Sequence, residues 1–166
     1  MSERNNEYFQ QFVGMKIGPD KYRIKGKKLS AYAEAIGDLN PKYYVEPPKE
    51  EGVKADYSKI VAHPAFAATY TVPGVLMSLP EVVDKNGEKL IKNIGKLLHT
   101  AQIYDYDGCD PLTAADKKVV STGEIRKLEI KGDKLWVEML FTTTNQEKTK
   151  TFCKTTLKGL MRKGGY

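Results

Sequence analysis

Few side chains in this sequence could carry out acid–base or metal chemistry, because its 166 residues include two histidines and two cysteines. His63 and His99 are 36 residues apart, and neither has a carboxylate at a ligand spacing, so the pattern argues against a metal site. Cys109 and Cys153 match neither a zinc motif nor a disulfide framework, which predicts two reduced thiols.

One aspartate occupies a position that suits either structure or catalysis. Apolar residues at positions 29, 32, 33 and 36 follow a helical period, and Gly37 suits the end of that helix. The segment from Asp38 to Pro41 then predicts a turn, which the Asp38 side chain could stabilise by bonding its local backbone. The alternative is a carboxylate held at the helix end for proton transfer.

A second helix is predicted beside His63. Residues 65–77 are rich in alanine and aromatic residues, Pro64 suits the first turn, and Pro73 would end or kink the helix. His63 could therefore be a pocket wall, a hydrogen-bonded structural residue or a base.

The C-terminal part of the chain predicts a sheet. Segments 97–106, 118–130, 134–144 and 148–160 are rich in Val, Ile, Thr and aromatic residues. Gly132 and Asn145 mark turns between them, so we expect an antiparallel meander. A short helix over residues 3–13 and a strand over residues 16–24 precede the two helices described above. Early helices and late strands indicate an α+β fold, and the absence of a linker or repeat indicates a single domain over residues 1–166.

The composition excludes some classes of protein. With 40% hydrophobic and 29% charged residues, the chain has enough apolar side chains for a core, which excludes a disordered protein. The longest apolar-rich stretch, residues 65–79, is too short and too interrupted to span a bilayer, and the first residues are polar throughout. We therefore expect a cytoplasmic protein without a membrane partner.

Three sequence blocks together resemble one family. They are Y-A-E-A-I-G-D-L-N-P-K-Y at residues 32–43, K-I-V-A-H-P-A-F at 59–66 and L-L-H-T-A-Q-I-Y-D-Y at 97–106. In order and spacing they are similar to the G-D-x-N-P-x-H motif, the histidine block and the L-L-H strand of the MaoC-like hydratases and dehydratases. The resemblance covers roughly residues 15–160.

This resemblance implies a hot-dog fold, in which a curved antiparallel sheet wraps a long central helix. It also implies that two hot dogs pair into one continuous sheet, as a homodimer or a heterodimer, and bind an acyl thioester of coenzyme A or acyl carrier protein at their interface. Catalytic members hydrate a trans-2-enoyl thioester or dehydrate a (3R)-hydroxyacyl thioester with a carboxylate and an imidazole, and they use no cofactor.

Two positions depart from the catalytic pattern. The family's aspartate corresponds to Asp38, but its histidine corresponds to Tyr43, and a phenol with an ordinary pKa near ~10 is a poor base at neutral pH. The glycine whose N–H binds the substrate carbonyl corresponds to Pro64, which has no N–H, although Ala65 or Phe66 could offer one. The candidate catalytic residues are Asp38, Tyr43 and His63.

Both departures resemble the N-terminal half-domains of fused dehydratases and the separate subunits that pair with a catalytic one. In those assemblies the degenerate half accommodates the acyl chain, while the partner supplies the aspartate and the histidine. The candidate substrate-binding residues, some of which could equally be core residues, are Asn40, Pro64, Ala65, Phe66, Tyr70, Leu76 and Met77.

The net charge of +6 and pI of about 9.1 leave the kind of partner open. The lysines are scattered along the chain, which argues against nucleic acid. Lys148, Lys150, Lys154 and Lys158 share one face of a predicted strand, so we expect a solvated sheet face. A patch for an acidic carrier protein or for the phosphates of coenzyme A is the alternative.

Three functions are compatible with these observations. The first is the acyl-chain-binding subunit of a (3R)-hydroxyacyl-thioester dehydratase or enoyl-CoA hydratase that needs a catalytic partner. The second is a self-sufficient homodimeric hydratase that uses Asp38 with Tyr43 or His63. The third is a module that binds acyl-CoA or another protein without lyase activity.

Overall fold

The structure, a computed structural model, describes residues 4–166. Its main elements, in chain order, are α1 (Asn6–Gln10), β1 (Lys16–Arg23), α2 (Gly26–Ala35), α3 (Ala68–Ser78), β2 (Leu97–Asp105), β3 (Lys118–Lys131), β4 (Lys134–Asn145) and β5 (Thr151–Arg162). The helix predicted over residues 3–13 is present as the shorter α1, and residue 3 lies outside the described residues.

The five strands form one antiparallel sheet in the order β1-β3-β4-β5-β2. Strands β3, β4 and β5 form a meander, as predicted. However, β2 pairs with β5 instead of β3, so the expected four-strand meander was wrong at its first strand. Residues 106–117 are too long for a hairpin turn, and the N–H of Asp110 donates to the Thr151 carbonyl at the start of β5 (2.7 Å). β2 is therefore an edge strand.

The last strand starts later than predicted, at Thr151. Asn145 holds the preceding turn, because its Oδ1 accepts the N–H groups of Thr149 at 2.9 Å and Lys150 at 3.0 Å. Lys148 in that turn has a φ of 58°, which is outside strand geometry. Lys148 and Lys150 are thus not on the predicted strand face, whereas Lys154 and Lys158 do share one face of β5.

Helix α3 begins with a 3-10 turn at Pro64–Ala67 and runs through Pro73 to Ser78. Of the two predicted effects of Pro73, an end or a kink, the end is wrong because the helix continues to Ser78. Proline removes one N–H from a helix, but the packing of α3 on the sheet holds the following turn in place. Gly74 lies directly against the Asp20 side chain of β1, and the Ser78 hydroxyl donates to the Asp20 carboxylate at 2.9 Å.

The inner face of the sheet packs around α3. Alternation along β4 predicted one buried face, and Leu135, Val137, Met139 and Phe141 are all buried. They join residues of α3 and the aromatic residues of α1 in one core cluster, while a second cluster surrounds the helix start and α2. The expected α+β fold, a curved antiparallel sheet with a central helix, is confirmed.

A chain of hydrogen bonds joins the edge strand to the central helix. The Gln102 amide of β2 donates to the Thr71 hydroxyl at 3.1 Å, and that hydroxyl donates to the Ala67 carbonyl at 2.8 Å. Thr71 is fully buried, so these bonds satisfy a polar group inside the core. Within residues 4–166, the structure contains no helix with the length and apolar character needed to cross a membrane.

Candidate functional site

The end of α2 fixes the position of Asp38. Gly37 has a φ of 78°, a left-handed conformation that glycine adopts without steric cost. The Gly37 N–H donates to the Glu34 carbonyl at 3.0 Å, and the Asp38 N–H donates to the Ala33 carbonyl at 2.9 Å. Asp38 Oδ1 then accepts the N–H of Asn40 at 3.1 Å. Asp38 therefore stabilises the turn, and its other oxygen is directed elsewhere.

The second carboxylate oxygen of Asp38, Oδ2, lies close to His63. Its Nε2 lies 3.4 Å from Asp38 Oδ2, and both side chains are partly exposed, 21% for His63 and 35% for Asp38. On the other side of the ring, Nδ1 accepts the N–H of Ala65 at 3.1 Å, so His63 caps the start of the helix. Because Nδ1 is an acceptor, the proton of the neutral ring is on Nε2, facing the carboxylate.

Tyr43, at the position of the family's histidine, packs against His63. The two ring centroids are 5.1 Å apart with the planes at 74°, an edge-on arrangement. Asn40, a candidate substrate contact, instead shapes this loop, because its carbonyl accepts the N–H of Tyr43 at 2.8 Å and its Oδ1 accepts that of Lys42 at 2.9 Å. The structure thus brings together Asp38, Tyr43 and His63.

The backbone donors at the helix start are already bonded. Pro64 has no N–H, the Ala65 N–H donates to the His63 ring, and the Phe66 N–H donates to the His63 carbonyl at 2.8 Å. Neither Ala65 nor Phe66 therefore offers a free N–H to a substrate carbonyl in this structure.

Two tyrosines that we did not select from the sequence hold the same turn. The Tyr32 hydroxyl donates to the Ala65 carbonyl at 3.0 Å, and the Tyr106 hydroxyl donates to the Pro64 carbonyl. Burial raises the pKa of the Tyr32 phenol, which keeps it protonated and able to donate. Both tyrosines lie in the sequence blocks quoted above, but no signal in those blocks indicates what a phenol hydroxyl bonds.

A cleft of about 230 Å³ opens beside His63. Aromatic side chains and one thiol contribute part of its wall (Tyr43, His63, Tyr70, Tyr106, Cys109 and Phe152), and Lys42 and Asp110 add one charge of each sign. Burial raises the pKa of the Tyr70 phenol far above its ordinary value, and burial also raises the pKa of the Cys109 thiol. Both groups are therefore neutral at physiological pH, and this part of the wall suits an apolar ligand.

The other predicted acyl contacts are spread along the helix. Phe66 is fully buried, with its ring edge-on to Tyr32 at 5.3 Å, whereas Tyr70 reaches the cleft. Leu76 and Met77 lie near the far end of α3 and are exposed, Met77 by 75%. Leu76 lines a separate narrow apolar cavity of about 40 Å³ between α3 and strands β2 and β5.

The chemistry open to this site is limited. Asp38 could accept a proton, and the Nε2–H of His63 could donate one. A neutral His63 has no free lone pair, because Nδ1 is occupied by the Ala65 N–H. The donors that would stabilise a developing oxyanion are bonded within the turn, and losing one such donor costs about 2.7–4 kcal/mol of transition-state stabilisation.

Comparison with known proteins agrees with the fold. Residues 11–151 match the family described as FAS1-like, dehydratase domain region. A UPF0336 protein of Streptomyces avermitilis is 31% identical over 117 residues, which cover 68% of this chain and 69% of the relative.

Solved structures of MaoC-like proteins superpose on nearly the whole chain. The MaoC-like dehydratase of Rhodospirillum rubrum gives a TM-score of 0.64 at 13% identity and covers 93% of this chain and 94% of its own. The HadBC (3R-hydroxyacyl-ACP dehydratase) complex of Mycobacterium tuberculosis gives a TM-score of 0.58 at 16% identity and covers 90% of this chain and 96% of its own. The ChsH1–ChsH2 complex of the same organism gives a TM-score of 0.59 at 15% identity and covers 93% of each chain.

The sheet order and the central helix define a hot-dog domain of the MaoC-like type. The match over residues 11–151, together with the Streptomyces relative, shows that the chain belongs to the FAS1-like dehydratase-domain family.

Proposed function

We propose that this chain is the acyl-chain-binding subunit of a (3R)-hydroxyacyl-thioester dehydratase or enoyl-thioester hydratase and works beside a catalytic hot-dog subunit. Its ligand is an acyl thioester of coenzyme A or of a carrier protein. The partner supplies the carboxylate and the imidazole of the reaction, and no metal or redox cofactor takes part.

The bonding of His63 is the observation that carries this proposal. A hydratase needs a base with a free lone pair and a donor for the thioester oxygen. The lone pair of Nδ1 is used to cap the helix, and the N–H groups of Ala65 and Phe66 are used within the same turn. These bonds hold the turn in place, and the His63 lone pair and the two N–H groups are therefore not available to a substrate.

The edge of the sheet supports a role within a pair. β2 bonds only β5 among the described strands, so one side of its backbone is free to extend the sheet. Leu76 and Met77 on α3 are exposed apolar side chains of the kind that a partner subunit covers. Two of the similar solved structures, HadBC and ChsH1–ChsH2, are complexes by their names.

A hydration assay tests the proposal. The full chain is purified alone and also with the hot-dog subunit that co-purifies with it from its native host, and crotonyl-CoA is supplied to both. We expect turnover by the complex and none by the isolated chain. Turnover by the isolated chain that disappears in Asp38→Asn would refute the proposal, and binding without turnover in both samples would indicate a binding module instead.

A second candidate, a self-sufficient homodimeric hydratase, is favoured by one contact. The 3.4 Å approach of His63 Nε2 to Asp38 Oδ2 places an imidazole N–H beside a carboxylate, as a proton-transfer pair requires. This function predicts that Asp38→Asn abolishes turnover by the isolated chain, and that His63→Ala or Tyr43→Phe does so too. Full turnover in both His63→Ala and Tyr43→Phe would exclude it.

A further inference from the structure

The sheet has an outer face whose side chains point away from the core. The helices α1 and α3 pack against the inner face, as the core cluster of buried residues shows. In β4 the outward positions alternate with the buried ones and include Trp136, Glu138 and Leu140. Strand pairing places the outward residues of the other strands beside them, and together these residues form what we call the outer face.

Positive charge is concentrated on the outer face. β1 contributes three outward basic side chains, β3 four, β4 one and β5 three, which makes eleven. The outward acidic side chains are four: Asp105, Glu124, Glu129 and Glu138. The excess of seven is one more than the whole chain's net charge of +6, so the rest of the molecule carries a net charge of −1. A concentration of positive charge on one face attracts an acidic partner.

A row of apolar side chains crosses β4, β5 and β2 near one end of this charged surface. Trp136 pairs with Leu160, and Leu160 pairs with Leu98 on the edge strand. Trp136 is 38% exposed and Leu98 is 44% exposed. A shallow depression of about 200 Å³ lies beside the row. Its lining includes Trp136, three lysines and two glutamates: Lys127, Lys131, Lys158, Glu129 and Glu138. The depression offers a place for one apolar side chain of a partner.

We propose that the outer face binds an acidic protein surface that places an apolar side chain on the row of Trp136, Leu160 and Leu98. An acidic surface complements the excess charge, and aromatic anchors surrounded by charges are typical of protein interfaces. A second copy of this chain is disfavoured because two faces with the same excess positive charge repel each other.

The acidic residues within the face argue against nucleic acid. Lys127 lies 2.8 Å from Glu129, and Lys158 lies 2.9 Å from Glu138, so carboxylates are interspersed with lysines on the outer face. A continuous phosphate backbone would meet these carboxylates, whereas a protein can present a cation or an amide at each of them.

Trp136 reports directly on this surface because it is the only tryptophan of the chain. The probe is a synthetic helical peptide rich in glutamate with one leucine stripe, and the matched peptide has alanine in place of each leucine. Binding to the full chain is followed by Trp136 emission. We expect a blue shift with the leucine peptide, a much weaker response with the alanine peptide, and affinity that falls as salt rises.

Two charge-reversal variants, one on the outer face and one away from it, test whether the charge of this face matters. Arg162→Glu changes an outward residue of β5 that forms no ion pair within residues 4–166, and we expect it to weaken binding about tenfold. Lys85→Glu makes the same charge change in an exposed loop away from the sheet and should leave binding unchanged. The proposal is overturned if the two variants behave alike, if the leucine peptide does not bind, or if oligo-dT or phosphatidylglycerol vesicles bind more tightly than that peptide.

Discussion

His63 connects the two parts of the candidate site, because one ring nitrogen faces Asp38 and the other caps the helix that carries Tyr70 and Leu76. The hydrogen bond at Nδ1 and the carboxylate 3.4 Å from Nε2 together favour one orientation of the ring. In a catalytic dyad such rigidity assists proton transfer, but here it is obtained by using the lone pair that a base needs. The capping role is therefore the one that substitution can test most directly.

His63→Ala removes the acceptor of the Ala65 N–H, and we expect it to lower the free energy of unfolding by about 1 kcal/mol, the usual loss for a helix cap. His63→Asn retains a side-chain oxygen that suits this position, so its loss should be clearly smaller. Urea denaturation of both variants provides the measurement. Equal losses in the two variants would contradict the capping role.

The sequence allowed the Asp38 turn to be predicted, because Gly37 and the residues up to Pro41 carry local signals for a helix end and a turn. The sequence left open whether Asp38 lies beside His63 or acts with Tyr43. The contact between Asp38 and His63 joins two loops that only tertiary packing brings together, so local sequence signals could not predict it. The bonds from Tyr32 and Tyr106 to the helix start were not predictable for the same reason.

Among the elements, α3 shows how packing overrides local preference. Pro73 is a signal to stop a helix, yet α3 continues because its next residues are fixed against β1. Helices, strands and most of their bounds followed from periodicity, whereas the pairing of β2 with β5 did not, because alternation does not specify a neighbour.

Gly74→Ala tests the contact between α3 and β1. A Cβ at this position would lie 2.8 Å from Asp20 Oδ2 and 3.0 Å from its Cγ, which is too close. Alanine favours a helix over glycine by about 1 kcal/mol, but overpacking costs about 1–3 kcal/mol, so we expect a net loss of stability.

A double-mutant cycle with Asp20→Ala identifies the cause. The Asp20→Ala background removes the carboxylate, so Gly74→Ala should cost less there than in the wild-type chain when the free energy of unfolding is measured in urea. An equal cost in both backgrounds would mean that the Asp20 contact does not cause the loss.

For the whole molecule, the sheet has two edge strands, β1 and β2, and the proposed pairing with another hot dog uses β2. Ile103 lies on this strand and is 53% exposed. A lysine on an edge strand opposes pairing with another chain, so Ile103→Lys should lower the fraction of paired hot dogs in sedimentation experiments while the domain stays folded. Leu160→Lys, on the same outer face but one strand inside the edge, should leave pairing intact. Unchanged pairing in Ile103→Lys would place the interface elsewhere.

The pairing of β1 with β3 also has a consequence for biosynthesis. Lys16 is paired with Glu124, 108 residues further along the chain, so the first strand has no partner until most of the protein has left the ribosome. Until then Ile17 and the aromatic residues of α1 have no sheet to cover them. A nascent chain that stalls before Lys118 presents these apolar residues to chaperones and proteases, and translation speed over its last third sets how long that exposure lasts.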